Sequence, residues 1–489
     1  MPRALETLII LLAAMVAVAG CASESKIWSY DEETELQAGA KQHTRILDQI
    51  GAYNDTKLSD YVNTVGQKIA AVSDRPKLQW HFTVLDSATP NAFATQGGYV
   101  YITRGMLALL RSETELAAIL AHETGHICAQ DTPHQQAVGN IMALGVLGTI
   151  VAVPELLLFP QLAAAPEGAG MAAISRKAEL NADQLGTEYL GRAGYPPETM
   201  QTTMTLLESM EIYERDQQKA AGQKPSTWWH RVYASHPTTE TREKKLTEAT
   251  NAQNPKIPSG PQPAFLALLD GVEFGSGKFE GIPYGHKRYF AKIKIALDIP
   301  EEWAAQTNQN HDKLWLSRVD GKAYMTIEST TMSLAHPCDS LARQMMISET
   351  VEAKPISDND TPSCTCIAHQ SIHGLFGHRE RVFRAGVVAR NKASTDAEMF
   401  GGYSNKALFA QNDTVFLSIA RSIEPLQPGD NMPKPLTIHI RRALPGETFA
   451  SLAHSSRIPG KNAESLLRLL NRRYPTGEPV AGELIKIIQ

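Results

Sequence analysis

The stretch AHETGHICAQD, residues 121–131, decides the fold of the first half of the chain. It contains two histidines four residues apart with a glutamate after the first, in the pattern His122-Glu123-x-x-His126. On a helix, residues four apart share one face, so both imidazoles can bind the same metal ion. Glu123 lies about 100° further round the helix, near the metal but free to act on a water. The rest of the sequence has to supply the helix, a third ligand and a compartment.

The residues before the motif predict that it lies well inside a helix. Ser112 followed by Glu115 is a capping-box pattern, typical of a helix start. Apolar residues then recur at helical spacing: Leu116, Ile119, Leu120 and Ile127.

A third ligand is available in ISRKAELNADQLG, residues 174–186, which also reads as a helix. Glu179 can supply a carboxylate ligand, and Asp183, one turn later, can accept the spare N–H of a ligand histidine and orient it. Taken by themselves, these two acidic residues fit a solvated helix face as well. Two imidazoles make a poor zinc site without a third protein ligand, so the first motif favours the ligand role.

Together these residues resemble the zinc endopeptidases of metallopeptidase family forty-eight, gluzincins of the HtpX and BepA type. Two further stretches carry the resemblance, namely NAFATQGGYVYITRGML from Asn91 and SHPTTETR over residues 235–242. It covers roughly residues 30–250. The chain departs from the family's pattern at two places. Ala129-Gln130-Asp131 follow the His-Glu motif, and Asn181 lies between Glu179 and Asp183. These departures leave the substrate preference open.

The resemblance implies one zinc ion per chain, with His122, His126 and Glu179 as ligands and Asp183 behind them. It further implies that Glu123 is the general base on a zinc-bound water. Peptide-bond hydrolysis is therefore the expected reaction.

Residues outside the helices have expected roles too. The segment Asn91, Ala92, Phe93 and Ala94 is expected to be a substrate strand that pairs with an extended peptide. His236 is expected to stabilise the oxyanion or to cover the metal at rest, and Arg242 is a weaker candidate for stabilising the same charge. The alternative for His236-Pro237 is that it merely begins a helix.

The N-terminus predicts export. Arg3 precedes the apolar run LIILLAAMVAVAG, which is too short to span a membrane and ends at Cys21. Residues 18–21 resemble a bacterial lipobox, so residues 1–20 are expected to be a lipoprotein signal peptide and Cys21 the lipidated residue. Ala22 then favours the outer membrane of a Gram-negative bacterium, facing the periplasm. An ordinary signal peptide followed by a chance cysteine remains the alternative.

Composition sets further bounds. A chain of 489 residues is too long for one core, so several domains are expected. A net charge of -5 gives no support to nucleic-acid binding. In an oxidising compartment, Cys338 can form a disulfide with Cys364 or Cys366. The apolar stretch 141–165 is interrupted by prolines and fits a buried or interfacial helical hairpin rather than a membrane span.

Beyond the peptidase domain, expected over residues 21–250, a Pro-rich linker at 251–264 leads to a small α+β domain over 265–425. Strands are predicted at KIKIALDIP, KLWLSRV, AYMTIES, RVFRAGVVAR and TVFLSIA, and a helix near DSLARQMMI. Recruitment of clients or partners is the role expected for this domain.

The last piece, residues 432–489, reads as strand, helix, helix, strand. It resembles a LysM-type module on Pro445-Gly446-Glu447-Thr448, Leu469-Leu470-Asn471 and Gly482. The resemblance implies binding to peptidoglycan, and a structural cap without sugar binding is the alternative.

The fold expected is therefore α+β and multidomain, with a mainly helical gluzincin domain, a small α+β middle domain and a LysM-like βααβ module. The expected function is that of a lipid-anchored zinc metalloendopeptidase that hydrolyses unfolded or misassembled envelope proteins. The alternatives are a latent, protease-like chaperone or assembly scaffold, and a peptidoglycan-binding protein.

Overall fold

A computed structural model of the chain describes residues 32–129, 169–220 and 261–489, apart from short gaps in the last range. Some predicted features lie outside the described residues: Cys21 with its signal peptide, the apolar stretch 141–165, His236 with Arg242, and linker residues 251–260. Among the described helices, none combines the length and apolar character that crossing a membrane requires.

The region around the His-Glu motif combines helices with a small sheet. In chain order its described elements are α1 (Glu32–Gln49), α2 (Thr56–Ala70), β1 (His81–Leu85), β2 (Ala92–Thr95), β3 (Tyr99–Thr103), α3 (Arg104–Leu109), α4 (Glu113–Cys128), α5 (Ala169–Ala193) and α6 (Thr199–Ala220). The strand order is β1-β3-β2, with β1 parallel and β2 antiparallel to β3.

Helix α4 is the centre of this region. Every residue from Thr114 to Ile127 is buried, so the helix meets protein on all sides. It packs against α2, α5, α6 and β2, and the small side chains of Ala117, Ala118 and Ala121 leave room for these neighbours. A helix enclosed in this way holds its side chains in fixed positions, as a catalytic site requires.

The middle of the chain is rich in antiparallel strands. Its elements are α7 (Pro263–Leu269), β4 (Glu273–Phe274), β5 (Ile282–Tyr284), β6 (Lys287–Phe290), β7 (Ile295–Asp298), β8 (Trp303–Thr307), β9 (Lys313–Arg318), β10 (Ala323–Thr331), α8 (Pro337–Gln344), β11 (Glu349–Lys354), β12 (Ser363–Gly374), β13 (Gly377–Ala389), β14 (Asp396–Ser404), α9 (Phe409–Arg421) and β15 (Glu424–Pro425). Within the described residues they form a seven-stranded sheet, β11-β12-β13-β14-β10-β9-β8, and a four-stranded sheet, β15-β7-β6-β5.

One predicted strand in this region is wrong. TVFLSIA, residues 414–420, lies in helix α9. Its buried residues, Asn412, Phe416, Ile419 and Ala420, follow the spacing of a helix face. A short apolar run cannot be assigned to strand or helix by periodicity alone, and packing of α9 against β13 and β14 decides it here.

The strand predicted at KIKIALDIP is present but shorter. Strand β7 begins at Ile295, because Lys294 has a φ of 62° and lies in a turn. Ala296 is buried together with Ile295 and Leu297, so both faces of this strand meet protein. The helix predicted near residue 339 is confirmed as α8.

A disulfide joins the start of α8 to the seven-stranded sheet. Cys338 is bonded to Cys364, which answers the choice between Cys364 and Cys366 that the sequence left open. Cys366 is buried and free, and Cys128 is free and half-buried at the end of α4.

The last residues form β16 (Leu436–Arg442), α10 (Phe449–Ser455), α11 (Ala463–Leu470) and β17 (Leu484–Ile488), in the predicted order strand, helix, helix, strand. We call residues 436–489 the C-terminal module. Strand β4 adds to its sheet in the order β17-β16-β4. Its apolar residues share one core with the region around α4. The described chain is therefore α+β with several sheets; the domain boundaries and the likeness to LysM remain predictions.

Candidate metal centre

Helix α4 begins where the sequence predicts. Ser112 is the N-cap residue, and its hydroxyl accepts a hydrogen bond from the Glu115 N–H at 3.2 Å. Such a cap satisfies one of the N–H groups that a helix start leaves without a partner. His122, Glu123 and His126 follow in the second half of the same helix.

Helix α5 lies unusually close to α4 at the level of these residues. A Cβ placed on Gly125 would lie 2.9 Å from the Ala182 carbonyl oxygen, and one on Gly186 would lie 3.0 Å from the main-chain nitrogen of His122. Only glycine permits both approaches. The close contact brings α5, with Glu179 and Asp183, directly against the histidine face of α4.

Three buried side chains converge between the two helices. Nε2 of His122 lies 3.2 Å from Nε2 of His126. The Glu179 carboxylate places one oxygen 3.6 Å from His122 Nε2 and the other 3.4 Å from His126 Nε2. Within the part of the chain that the structure describes, this is the group of three residues that can hold a metal ion. The predicted ligands His122, His126 and Glu179 thus lie together.

The spacing of these donors fits zinc. Bonds of about 2.0–2.2 Å in a tetrahedral site put neighbouring ligand atoms about 3.3–3.6 Å apart. The Nε2–Nε2 separation of 3.2 Å and the nitrogen–oxygen separations of 3.4 and 3.6 Å, which involve different oxygens of Glu179, lie at or close to this range. Two imidazole nitrogens and one carboxylate oxygen also form the ligand set of many catalytic zinc sites, which keep a fourth position for water or substrate.

Asp183 lies where a partner for a ligand histidine is needed. Its Oδ1 is 3.1 Å from Nδ1 of His122, on the side of the ring away from Glu179. This contact keeps the proton on Nδ1 and leaves Nε2 for the metal. Burial lowers the pKa of His122, but the hydrogen bonds to Asp183 and Glu179 outweigh burial, and the pKa lies above its ordinary value. The pocket therefore stabilises a positive charge at this position.

The predicted base, Glu123, lies on α4 between the two histidines and is 3% exposed. Its position one residue after His122 places it beside the ligand face. The structure thus has the carboxylate next to the donor cluster, and its role as base stays a prediction.

The predicted substrate segment forms the edge of the small sheet. In the described chain β2, Ala92–Thr95, pairs with β3 on one side only, and Asn91 precedes it with its N–H bonded to Thr103. Strand β2 also contacts α4, which carries the metal ligands. An extended peptide that paired with the free edge would therefore lie near the metal centre.

Sequence reasoning missed the group that holds this edge in place. Glu35 on α1 is buried and accepts two hydrogen bonds from Arg75, at 2.8 and 3.0 Å, and one from the Gly97 N–H at 3.1 Å. Gly97 lies in the turn between β2 and β3, so α1 is fastened to the end of the predicted substrate strand. Nothing in the local sequence around Glu35 indicates this role.

Comparisons with known proteins find a matching family model and several relatives. Residues 56–250 match the model of Peptidase family M48. The chain is 26% identical over 243 residues to the beta-barrel assembly-enhancing protease of Escherichia coli K12, covering 48% of this chain and 47% of that protein. It is 32% identical over 198 residues to the mitochondrial metalloendopeptidase OMA1 of Schizosaccharomyces pombe, covering 40% and 54%. The chain thus spans about half the length of the curated relatives it matches.

Proposed function

We propose that the protein is a zinc metalloendopeptidase that hydrolyses peptide bonds in unfolded or misassembled envelope proteins, because residues 56–250 match the model of Peptidase family M48. The observation that carries the proposal is the buried cluster of His122, His126 and Glu179, with Glu123 adjacent on the same helix. Similar proteins named as a protease and a metalloendopeptidase support the same reaction.

Each residue of the centre has a defined task. His122, His126 and Glu179 hold the zinc ion, and Asp183 fixes the ring of His122. The ion, when bound, lowers the pKa of water and polarises the scissile carbonyl group. Glu123 accepts the proton of the attacking water and returns it to the amine that leaves. His236, which lies outside the described residues, is proposed to stabilise the developing negative charge on the carbonyl oxygen.

Strand β2 makes extended polypeptide the natural substrate. A peptide that adds to a strand edge is held through its main chain, which requires a segment that is not already folded. Main-chain pairing also imposes little selection on side chains. Both properties suit an enzyme that removes unfolded proteins of many sequences.

The location is proposed from the N-terminus and the relatives. A lipid on Cys21 would hold the protein at the outer membrane, with the catalytic domain in the periplasm. The name of the Escherichia coli relative refers to assembly of β-barrels, and quality control of misassembled outer-membrane proteins is the corresponding proposal here. The C-terminal module, ordered strand, helix, helix, strand, would add binding to peptidoglycan.

Digestion of a reduced, alkylated model protein tests the activity. The mature chain lacking Cys21 is compared with its Glu123→Gln variant after metal analysis shows equal zinc in both. Cleavage by the first and none by the second is expected, since glutamine cannot take up the proton. If both cleave, Glu123 is not the base. If neither cleaves with zinc bound, the protein is latent or a scaffold, and the proposed hydrolysis is wrong for the isolated chain.

A further inference from the structure

The last strand of the chain contacts the start of the catalytic helix through a buried lysine. Lys486 lies on β17 and is 1% exposed. Its Nζ donates hydrogen bonds to the main-chain oxygens of Ala108 and Leu110, each at 2.5 Å. These oxygens belong to residues 108–112, which comprise the end of α3 and the connection to α4 and which we call the α3–α4 joint. Lys486 thus satisfies carbonyl groups that the end of α3 leaves without helical partners.

The joint contacts the module in the opposite direction as well. Arg111 donates from its two Nη atoms to the main-chain oxygens of Asn471 at 2.9 Å and Leu484 at 3.2 Å. The side chain of Asn471 in turn bonds the main chain of Lys486 on both sides, with an acceptor contact of 2.8 Å and a donor contact of 2.9 Å. Lys486 of the module therefore donates to the joint, and Arg111 of the joint donates to the module.

A third contact reaches the cap of α4 itself. Glu115, in the first turn of α4, accepts the Arg111 N–H at 2.8 Å and pairs with Arg472 of the module at 3.1 Å. The carboxylate that accompanies the N-cap Ser112 is thus bound by the C-terminal module. Around these polar contacts, apolar residues of the module such as Leu470 and Ile485 share a core with Leu110 and Leu116.

A buried lysine is a costly choice for this position. An apolar side chain of similar volume would fill the space without the cost of removing an amine from water. Two donors aimed at two carbonyl oxygens, however, admit a single placement of β17 against the joint. Lys486 therefore fixes the position of the start of α4 relative to β17 rather than adding to the stability of the contact.

We propose that Lys486 is a positioning residue of the peptidase, which acts through the α3–α4 joint to hold α4 in register with α5. The proposal rests on the proposed function for its catalytic readout. Helix α4 is uninterrupted from Glu113 to Cys128, and His122 lies nine residues after its start, a distance of about 13 Å at 1.5 Å per residue. A shift at the joint therefore moves His122 and Glu123 against Glu179, which α5 carries.

The test uses the mature chain with the substitution Lys486→Met, which removes the donors and keeps most of the volume. Zinc affinity is measured by competition with a chelator, and kcat and KM with an unfolded substrate, at a temperature where the variant is fully folded. We expect a loss of about tenfold in zinc affinity and in kcat, the size seen when groups that orient metal ligands are removed, with KM unchanged. Wild-type values for both zinc affinity and kcat would overturn the proposal.

A matched control separates positioning from general stability. Arg384, on β13 of the seven-stranded sheet, is also buried, at 1% exposure, and is ion-paired with Asp413. Arg384→Met is expected to lower the melting temperature and to leave zinc affinity and kcat unchanged. If it lowers them as much as Lys486→Met does, the effect is one of stability and the positioning role is wrong.

Two further measurements keep the test decisive. If Lys486→Met does not fold, Arg472→Gln removes the contact with Glu115 at a position where the side chain is 20% exposed, and a loss of zinc affinity smaller than tenfold is expected. If the wild-type protein does not cleave, the proposed function fails, yet the absorption spectrum of bound Co²⁺ still reports ligand geometry. A changed spectrum in Lys486→Met supports the positioning role, and an unchanged one contradicts it.

Discussion

The two ends of α4 are surrounded by opposite charges. Near its C-terminal end, two histidines and Glu123 lie beside the carboxylates of Glu179 and Asp183. At its N-terminal end, Glu115 lies among the cations Arg111, Arg472 and Lys486. The first group has an excess of acceptors that a metal ion can satisfy, whereas the second is a group of nitrogen donors around one carboxylate.

The difference shows how one buried helix can carry both chemistry and structure. Carboxylates packed against imidazoles are stable together when a cation joins them, so the C-terminal end of α4, which we call the site end, depends on a bound metal ion. At the other end Arg111 and Lys486 donate to main-chain oxygens and Arg472 pairs with Glu115, so these contacts form within the protein without a bound ion. Variants at each end, compared in zinc affinity and in stability, measure this division.

The largest contrast is expected between Glu179→Gln and Glu115→Gln, which remove one carboxylate charge at each end. Glu179→Gln removes a proposed ligand and should weaken zinc binding by more than about 100-fold, beyond the usual cost of losing an outer partner. Glu115→Gln leaves buried cations without their carboxylate and should cost about 3–5 kcal/mol of stability, with zinc affinity within about tenfold. Zinc competition and chemical denaturation measure the two quantities; equal zinc affinity in the two variants would mean that Glu179 is not a ligand.

A smaller effect is expected from Asp183→Asn. The amide keeps the size of the side chain but holds the Nδ1 proton of His122 less strongly than the carboxylate at 3.1 Å. Zinc affinity or kcat should fall about 10–100-fold, while the melting temperature of the zinc-loaded protein changes little. Asp413→Asn, which changes a carboxylate paired with Arg384 in the middle region, is the control and should leave zinc affinity and kcat unchanged. An unaltered zinc affinity and kcat in Asp183→Asn would show that His122 is oriented by another group.

The site end could be predicted from the sequence because its information is local. Two pairs of residues, His122 with His126 and Glu179 with Asp183, are each four apart on one helix and define the site. The pattern Ser112 with Glu115 predicts where helix α4 begins. The sequence could not show that α5 approaches α4 through Gly125 and Gly186, since this depends on both helices at once. It also could not place His236 relative to the metal.

The joint could not be predicted, because its contacts join residues far apart in the chain. Lys486 falls in LIKII, where a strand that alternates would point the lysine to solvent. It is buried because that face of β17 meets the α3–α4 joint. The wrong assignment of TVFLSIA has the same origin, since the packing of α9 on the seven-stranded sheet decides its structure. The sequence pattern within one helix or strand can be used to predict that element, but it does not show which other element packs against it.

The smallest predicted effect is a pH dependence of stability that belongs to the joint alone. Burial, together with Arg111 and Arg472, lowers the pKa of Lys486 well below its usual value, and Glu115 offsets this only in part. Between the folded and the unfolded pKa, the unfolded chain binds one more proton, so stability rises with pH. Relative to Lys486→Met, the wild-type protein should gain up to about 1.4 kcal/mol per pH unit as the pH approaches about 10.4.

Urea unfolding of both proteins at pH 7, 8 and 9 measures this difference. The arginines of the joint and the module stay charged over that range, and Lys486 is the basic group at the joint that titrates. The tyrosines and other lysines are common to both proteins and cancel in the comparison. A constant difference between the two stability curves would mean that Lys486 titrates alike in the folded and unfolded chain, and the joint would then hold an ordinary ammonium group rather than a strongly desolvated one.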